Sequence, residues 1–248
     1  MARFPRLTIT VVFYALVATL ISAAFAGTLW VQYRAKPRPY LLAWSVALGL
    51  YAIAALTEVL GAAGGWSALL YRTYYFFGAI VLVGLLALGT IYLLAPRFSR
   101  IALWTLVVLA AIGLVGILGA QLQAVRLETH QVPNTDTIQL QGGLFSVLAI
   151  LMAILINIVG SVILIGGAAW SAYGAWRRGG ASSRVLANLL IAGGAFIVAS
   201  ASSLTRVFHV YEVFYVGQAI GVLVMFGGFL AAQRAPRRAA NLNPVASR

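Results

Sequence analysis

The stretch LTEVLGAAGGWSALLYRTYYFFG, residues 56–78, decides the fold. Two apolar runs meet there at the pair Gly64 and Gly65, with an acid, Glu58, and a base, Arg72, each seven residues from Gly65. A glycine pair between hydrocarbon-rich runs marks a tight turn joining antiparallel helices. Read outward, the runs extend over residues 40–63 and 68–95. At 1.5 Å per residue, each is long enough to cross the roughly 30 Å of a bilayer core. The question is why a chain would place two ionisable groups inside such runs.

The rest of the chain has the same character. Of its 248 residues, 62% are hydrophobic and only 8% charged, and the mean hydropathy is +0.98. A soluble domain of this length carries far more charge, so the composition belongs to the membrane class. Seven runs are expected to span, at 8–32, 40–63, 68–95, 100–121, 144–172, 184–205 and 209–232. They are too long and too uniformly apolar for the alternating strands of a membrane barrel. All seven prolines lie outside these runs or at their ends. With no cysteine there is no disulfide, thiolate metal site or cysteine nucleophile.

The net charge of +13 would suit a nucleic-acid partner, but its distribution argues against one. Arg34, Lys36, Arg38, Arg97, Arg100, Arg177, Arg178, Arg184, Arg234, Arg237, Arg238 and Arg248 all fall on one side of the expected topology. Arg3, Arg6 and Arg126 fall on the other, with Arg72 and Arg206 near helix ends. The positive-inside rule then predicts N-terminus out and C-terminus in. Trp30, Trp44, Trp104, Trp170 and Trp176 lie near the inner interface, as aromatic anchors do. Residues 1–26 could also be read as a cleavable leader, but cleavage there would invert every later loop against this charge count.

An internal repeat emerges when the sequence is shifted by 140 residues. GTLWVQYRAKPR (27–38) lies over GAAWSAYGAWRR (167–178), YRTYYFFGAI (71–80) over YEVFYVGQAI (211–220), and APR (95–97) over APR (235–237). Of the ninety pairs between 8–97 and 148–237, sixteen are identical, against about eight from composition alone. The expected organisation is therefore one transmembrane domain over 1–248. Repeat one covers 8–97, a linker helix 100–121, an outer loop 122–143, repeat two 148–237 and a basic tail 238–248. Four spans separate equivalent helices, so the two three-helix copies are parallel, related by an axis along the membrane normal.

In topology this three-plus-one-plus-three plan resembles the microbial rhodopsins and the SWEET-type sugar transporters. The stretches GGWSALLYRTYYFFGAI (64–80) and LALGTIYLL (86–94) are also similar to uncharacterised seven-helix integral membrane proteins of bacteria, a resemblance that implies a bacterial cytoplasmic membrane and no particular activity. Rhodopsin chemistry needs a lysine in the seventh helix for the retinal Schiff base. The sole lysine, Lys36, lies in an inner loop, which excludes it. SWEET-type transporters carry helix prolines and a Pro-Gln signature, and this chain has neither.

The ionisable residues are expected at the outer rim. Glu58 and Arg72 can pair across the first hairpin, and Arg206 and Glu212, each three residues from His209, across the second. Arg72 and Glu212 are also equivalent under the 140-residue shift and could meet across the axis. An unpaired ion in hydrocarbon is costly, so pairing is expected. One reading is a set of structural clasps. The other is an outward-facing polar pocket lined by Glu58, Arg72, Arg206 and Glu212 with Tyr71, Tyr74, Tyr75, Tyr211 and Tyr215.

Other polar groups are sparse. Asn157 sits inside the fifth run and suits an interhelical hydrogen bond. Ser200, Ser202 and Ser203 suit the same role in the sixth run. Gly113, Gly116, Gly119 and Ala120 make a small-residue face on helix 4, either for packing inside the bundle or for a second membrane protein. In loop 122–143, PNTD and the alternating TIQLQ predict a small hairpin or lid. His130 and His209 do not suit bis-histidine haem ligation, and Glu128, His130 and Asp136 lack metal-ligand spacing, so no cofactor or metal is expected.

No nucleophile–base pair, catalytic carboxylate pair or phosphate loop is present, which argues against an enzyme. The expected function is a non-enzymatic polytopic membrane protein that binds a small or apolar ligand from the outer side, as a sensor or an accessory subunit. The alternative is a SWEET-like small-solute transporter. Expected partners are membrane lipids, a small apolar ligand and a membrane protein docking on helix 4, with no nucleic acid.

Overall fold

A computed structural model of the chain describes residues 4–127, 135–177 and 211–240, with positions 186, 189, 190, 193, 194 and 196–198. The described residues are helical, with no strand beyond an isolated antiparallel bridge between Leu122 and Ile138. Among the described residues six long helices carry the fold: α1 (Phe4–Ala35), α2 (Pro39–Gly64), α3 (Ala68–Leu94), α4 (Ser99–Gly119), α5 (Leu144–Arg177) and α6 (Tyr211–Ala240). The first five contain stretches long and apolar enough to cross a membrane, and α6 holds the shorter apolar stretch Val216–Ala231. The chain is a helical membrane protein. Most of the sixth predicted run, including Ser200, Ser202 and Ser203, lies outside the described residues.

The hairpin at 56–78 closes as its glycines dictate. Gly65 has φ +91°, a conformation that a side chain would strain, and its N–H returns to the Gly61 carbonyl at 2.9 Å. Ser67 then caps α3, its hydroxyl accepting from the Leu70 N–H at 3.1 Å. Trp66 folds its ring onto Gly61, in space that any side chain there would occupy. Proline begins α2 at Pro39 and the short 3-10 turn Pro96–Phe98 before α4, positions where a missing N–H costs nothing. At its far end α6 runs on through Pro236, beyond the apolar run.

Within α3, residues Tyr75–Val81 widen into a π-helical segment. This is a departure from the regular helix expected over 68–95. Asn157 of α5 donates to the Ala79 carbonyl inside that segment and to the Ala153 carbonyl of its own helix at 2.7 Å. A π segment leaves helix carbonyls poorly served, and an amide from the next helix supplies a donor. Asn157→Leu should lower thermal stability by about 1–2 kcal/mol, measured by thermal unfolding in a mild detergent. A melting temperature equal to wild type would show that the crosslink adds nothing.

Helix packing follows the smallest residues. The glycine face of α4 is occupied within the chain: a Cβ on Gly116 would lie 2.6 Å from the Ala149 nitrogen of α5, and one on Gly113 2.9 Å from the Ile80 side chain of α3. The opposite side of α4, with Ile101, Trp104, Val108, Val115 and Leu118, is exposed as a lipid-facing surface would be. Elsewhere α1 packs along α2 and against α6, α2 along α3, and α3 against α4 and α5. A core cluster of Ala62, Trp66, Tyr71, Tyr75, Ile80, Ile117 and Ile138 closes one end of the bundle. Ile138 arrives there because Gln123 N–H bonds to the Thr137 carbonyl and Gln139 N–H to the Gln121 carbonyl, each at 2.9 Å. Loop 122–143 is thus pinned into the bundle on both sides of its centre.

Candidate functional site

Among the described residues two features of the interior have chemical content, and they lie towards opposite ends of α2. The first is polar. Glu58 is buried, only 2% exposed. At 1.5 Å per residue it sits about 9 Å inside the Gly64 end of α2. Tyr51, seven positions earlier, lies two turns away on nearly the same face, and is also buried. Across from them is Gln218 of α6, buried in the apolar part of that helix. The Tyr51 hydroxyl donates to Gln218 Oε1. The Gln218 side chain is in turn hydrogen-bonded to the Glu58 carboxyl. With its oxygen engaged by Tyr51, the amide presents its N–H group to Glu58.

Arg72 takes no part in this cluster, so the expected pairing with Glu58 is not formed among the described residues, and the pairings expected of Arg206 and Glu212 lie outside them. Its Nη2 donates to the Ala120 carbonyl at 3.3 Å, and its Nε has no hydrogen-bond partner. Among the described residues no ion pair joins it to Glu58. The reason lies in the helix faces. Although both residues are equidistant from the turn, Glu58 faces α6, while Arg72 points to the last carbonyls of α4. Those carbonyls lack intrahelical donors, and a cation there is favoured by the helix dipole.

The aromatic members of the expected pocket fare differently. Tyr71 and Tyr75 are buried in the core cluster, their rings 5.7 Å apart, and Tyr74 stacks edge-on against Trp66 at 5.6 Å. They form part of a packed wall. Arg206 and His209 lie outside the described residues, as does His130. Tyr211, Glu212 and Tyr215 fall in the first turns of α6, and their side chains lie outside the described residues. Tyr51 and Gln218 were not among the expected site residues. The signal for them was present: Tyr51 repeats the Glu58 face at a seven-residue interval, and Gln218 is the lone amide in the run 209–232.

The second feature is an apolar cavity of about 70 Å³, bounded by α1, α2, α3, α5 and α6. Phe25, Leu29, Leu48, Leu86, Leu164 and Phe229 supply much of its wall. The few polar atoms at its edge are partnered. Trp44 Nε1 donates to the Leu86 carbonyl at 3.0 Å, Thr90 donates to the same carbonyl at 3.1 Å, and Ser171 also has a partner. The Trp44 ring rests directly on Gly89, which leaves no space for a side chain. The cavity therefore offers hydrocarbon contact and no free polar handle. It lies towards the arginine-rich end of the bundle, where α1 carries Arg34 in its last turn and α5 ends at Arg177.

These features define a class: a polytopic helical membrane protein with a buried polar cluster and a half-open apolar cavity between its helices. The chain matches no protein-family model, no curated protein and no solved structure at a significant level.

Proposed function

We propose that this chain is a non-enzymatic seven-helix protein of the bacterial cytoplasmic membrane that holds an apolar ligand inside its bundle, as a sensor or an accessory subunit. Its N-terminus lies outside and its C-terminus inside, and two parallel three-helix copies flank α4. The cavity carries this reading. On this reading the ligand site belongs to the inner half of the bundle, rather than to the outer rim that the sequence suggested. At about 70 Å³ it is less than half the size of an engineered 150 Å³ cavity that takes up benzene. It suits a segment of a hydrocarbon chain, an acyl or isoprenoid tail, with the remainder in the lipid.

Support for the repeat comes from one pair of equivalent positions, although the glycines they meet are not equivalent, since Gly78 corresponds to Gln218 and Gly221 to Val81. Ala54 and Gly194 are equivalent under the 140-residue shift. A Cβ on Gly78 of α3 would lie 3.4 Å from the Ala54 side chain, and one on Gly221 of α6 would lie 2.7 Å from the Gly194 carbonyl. Equivalent small residues thus face the third helix of each copy.

Filling the cavity tests the reading. Protein purified in mild detergent should carry a chain lipid at fixed stoichiometry by native mass spectrometry. Ala168→Phe, which projects a ring among the lining residues, should reduce that lipid at least tenfold while the melting temperature stays within a few degrees. Equal lipid content in both proteins would count against the proposal. The transport reading has its own support, since the Tyr51–Gln218 hydrogen bond joins the first copy to the second, where transporters place their substrates. Substrate-specific uptake into vesicles would favour it over the sensor.

A further inference from the structure

Glu58 poses a problem that the cavity does not address. Its carboxyl is buried within the helix bundle, and among the described residues no cation is paired with it. Arg72 is committed to the Ala120 carbonyl. Among the described residues, the remaining ionisable side chains in the facing half of the bundle are Tyr14 on α1, Tyr51 on α2, and Tyr71, Tyr74 and Tyr75 on α3. All are phenols, which carry no positive charge. From α6 comes Gln218, a neutral amide.

A bare carboxylate in such surroundings is costly, so the charge has to be balanced or removed. A metal cation would need several oxygen ligands. Here Tyr51 occupies the amide oxygen of Gln218, and the N–H group is what faces Glu58. That side of the site repels a cation. A proton on the carboxyl satisfies every constraint that the described residues impose.

We propose that Glu58, positioned by Gln218 and Tyr51, is a proton-binding site buried in the membrane part of the protein. The step is a simple exchange. The carboxylic O–H bond breaks, the proton passes to water, and the electron pair stays on a carboxylate that keeps its hydrogen bond from the Gln218 N–H. Rebinding reverses it, with no change of fold. The proposal goes beyond the ligand reading and holds whether or not the cavity is filled.

The chain has only four carboxyl side chains, Glu58, Glu128, Asp136 and Glu212, so an infrared band can be assigned by single substitutions. Full-length protein in phosphatidylcholine vesicles should show the carbonyl band of a protonated acid at neutral pH. Glu58→Gln should remove it and Glu128→Gln should leave it. Raising the pH should abolish the band reversibly while the helical circular dichroism is retained. Gln218→Leu should shift its frequency, since the carbonyl loses a donor. A wild type without the band, a band that survives Glu58→Gln, or one that disappears only on unfolding would each overturn the proposal. If Glu58→Gln does not fold, Glu58→Asp and Gln218→Leu report on the same carboxyl: a band whose frequency neither variant alters would overturn it equally.

Discussion

Gly116→Val should destabilise the protein by about 3 kcal/mol or more, the largest single effect expected here. A Cβ at 116 would lie 2.6 Å from the Ala149 nitrogen and 3.0 Å from the Phe145 carbonyl oxygen. Both are backbone atoms of α5, so no side chain can rotate away and the two helices have to separate. Separation opens the close contact on which α4 depends, because most of its surface otherwise faces outward. Thermal or denaturant unfolding in detergent measures the loss. Gly27→Ala is the control: nothing lies within 4 Å of its Cβ position, so the substitution should be neutral or stabilise by up to about 1 kcal/mol through helix propensity. Similar stabilities for the two variants would show that α4 and α5 do not meet at Gly116.

Gln218→Leu should cost about 2–5 kcal/mol, because it leaves both the Tyr51 hydroxyl and the Glu58 carboxyl without their partner in a buried site. Tyr51→Phe removes only one hydrogen bond and should cost about 1–2 kcal/mol. Combined, the two should be less damaging than their sum by about 1 kcal/mol, since the hydroxyl has no partner to lose once Gln218 is gone. The same double-mutant cycle on Glu58→Gln and Arg72→Gln should be additive to within about 0.5 kcal/mol, as expected for residues that share no contact. A large coupling between Glu58 and Arg72, with none between Tyr51 and Gln218, would restore the hairpin clasp and reject the buried cluster.

Much of the architecture was legible because a bilayer allows few solutions. Long apolar runs have to satisfy their own backbone hydrogen bonds, so they become helices. Gly64 and Gly65 between two such runs had to be a turn, and Gly65 adopts the positive φ that only glycine takes without strain. Gly113 and Gly116 announced a close helix contact, and one exists. What their spacing did not reveal was the neighbour. A small-residue face packs as well against another chain as against α5, and only the path of the chain distinguishes the two.

The site was read less well, for a related reason. Glu58 was recognised from rarity alone, since a carboxyl among so much hydrocarbon needs an explanation. Its partner was sought close by in sequence, at Arg72, because depth in the membrane can be counted along a hairpin. Rotation about the helix axis cannot be counted in that way without knowing which faces meet. The π segment at Tyr75–Val81 adds a further offset to α3 that no apolar pattern records. Gln218, 160 residues away, becomes the partner only once α6 is placed beside α2. The membrane class and the helical form therefore follow from the sequence by itself, because they depend on hydrocarbon length and backbone satisfaction, both local properties. The carboxyl's companions, the neighbour of the glycine face and the location of the cavity were decided by tertiary packing, because each depends on which helix faces meet in space.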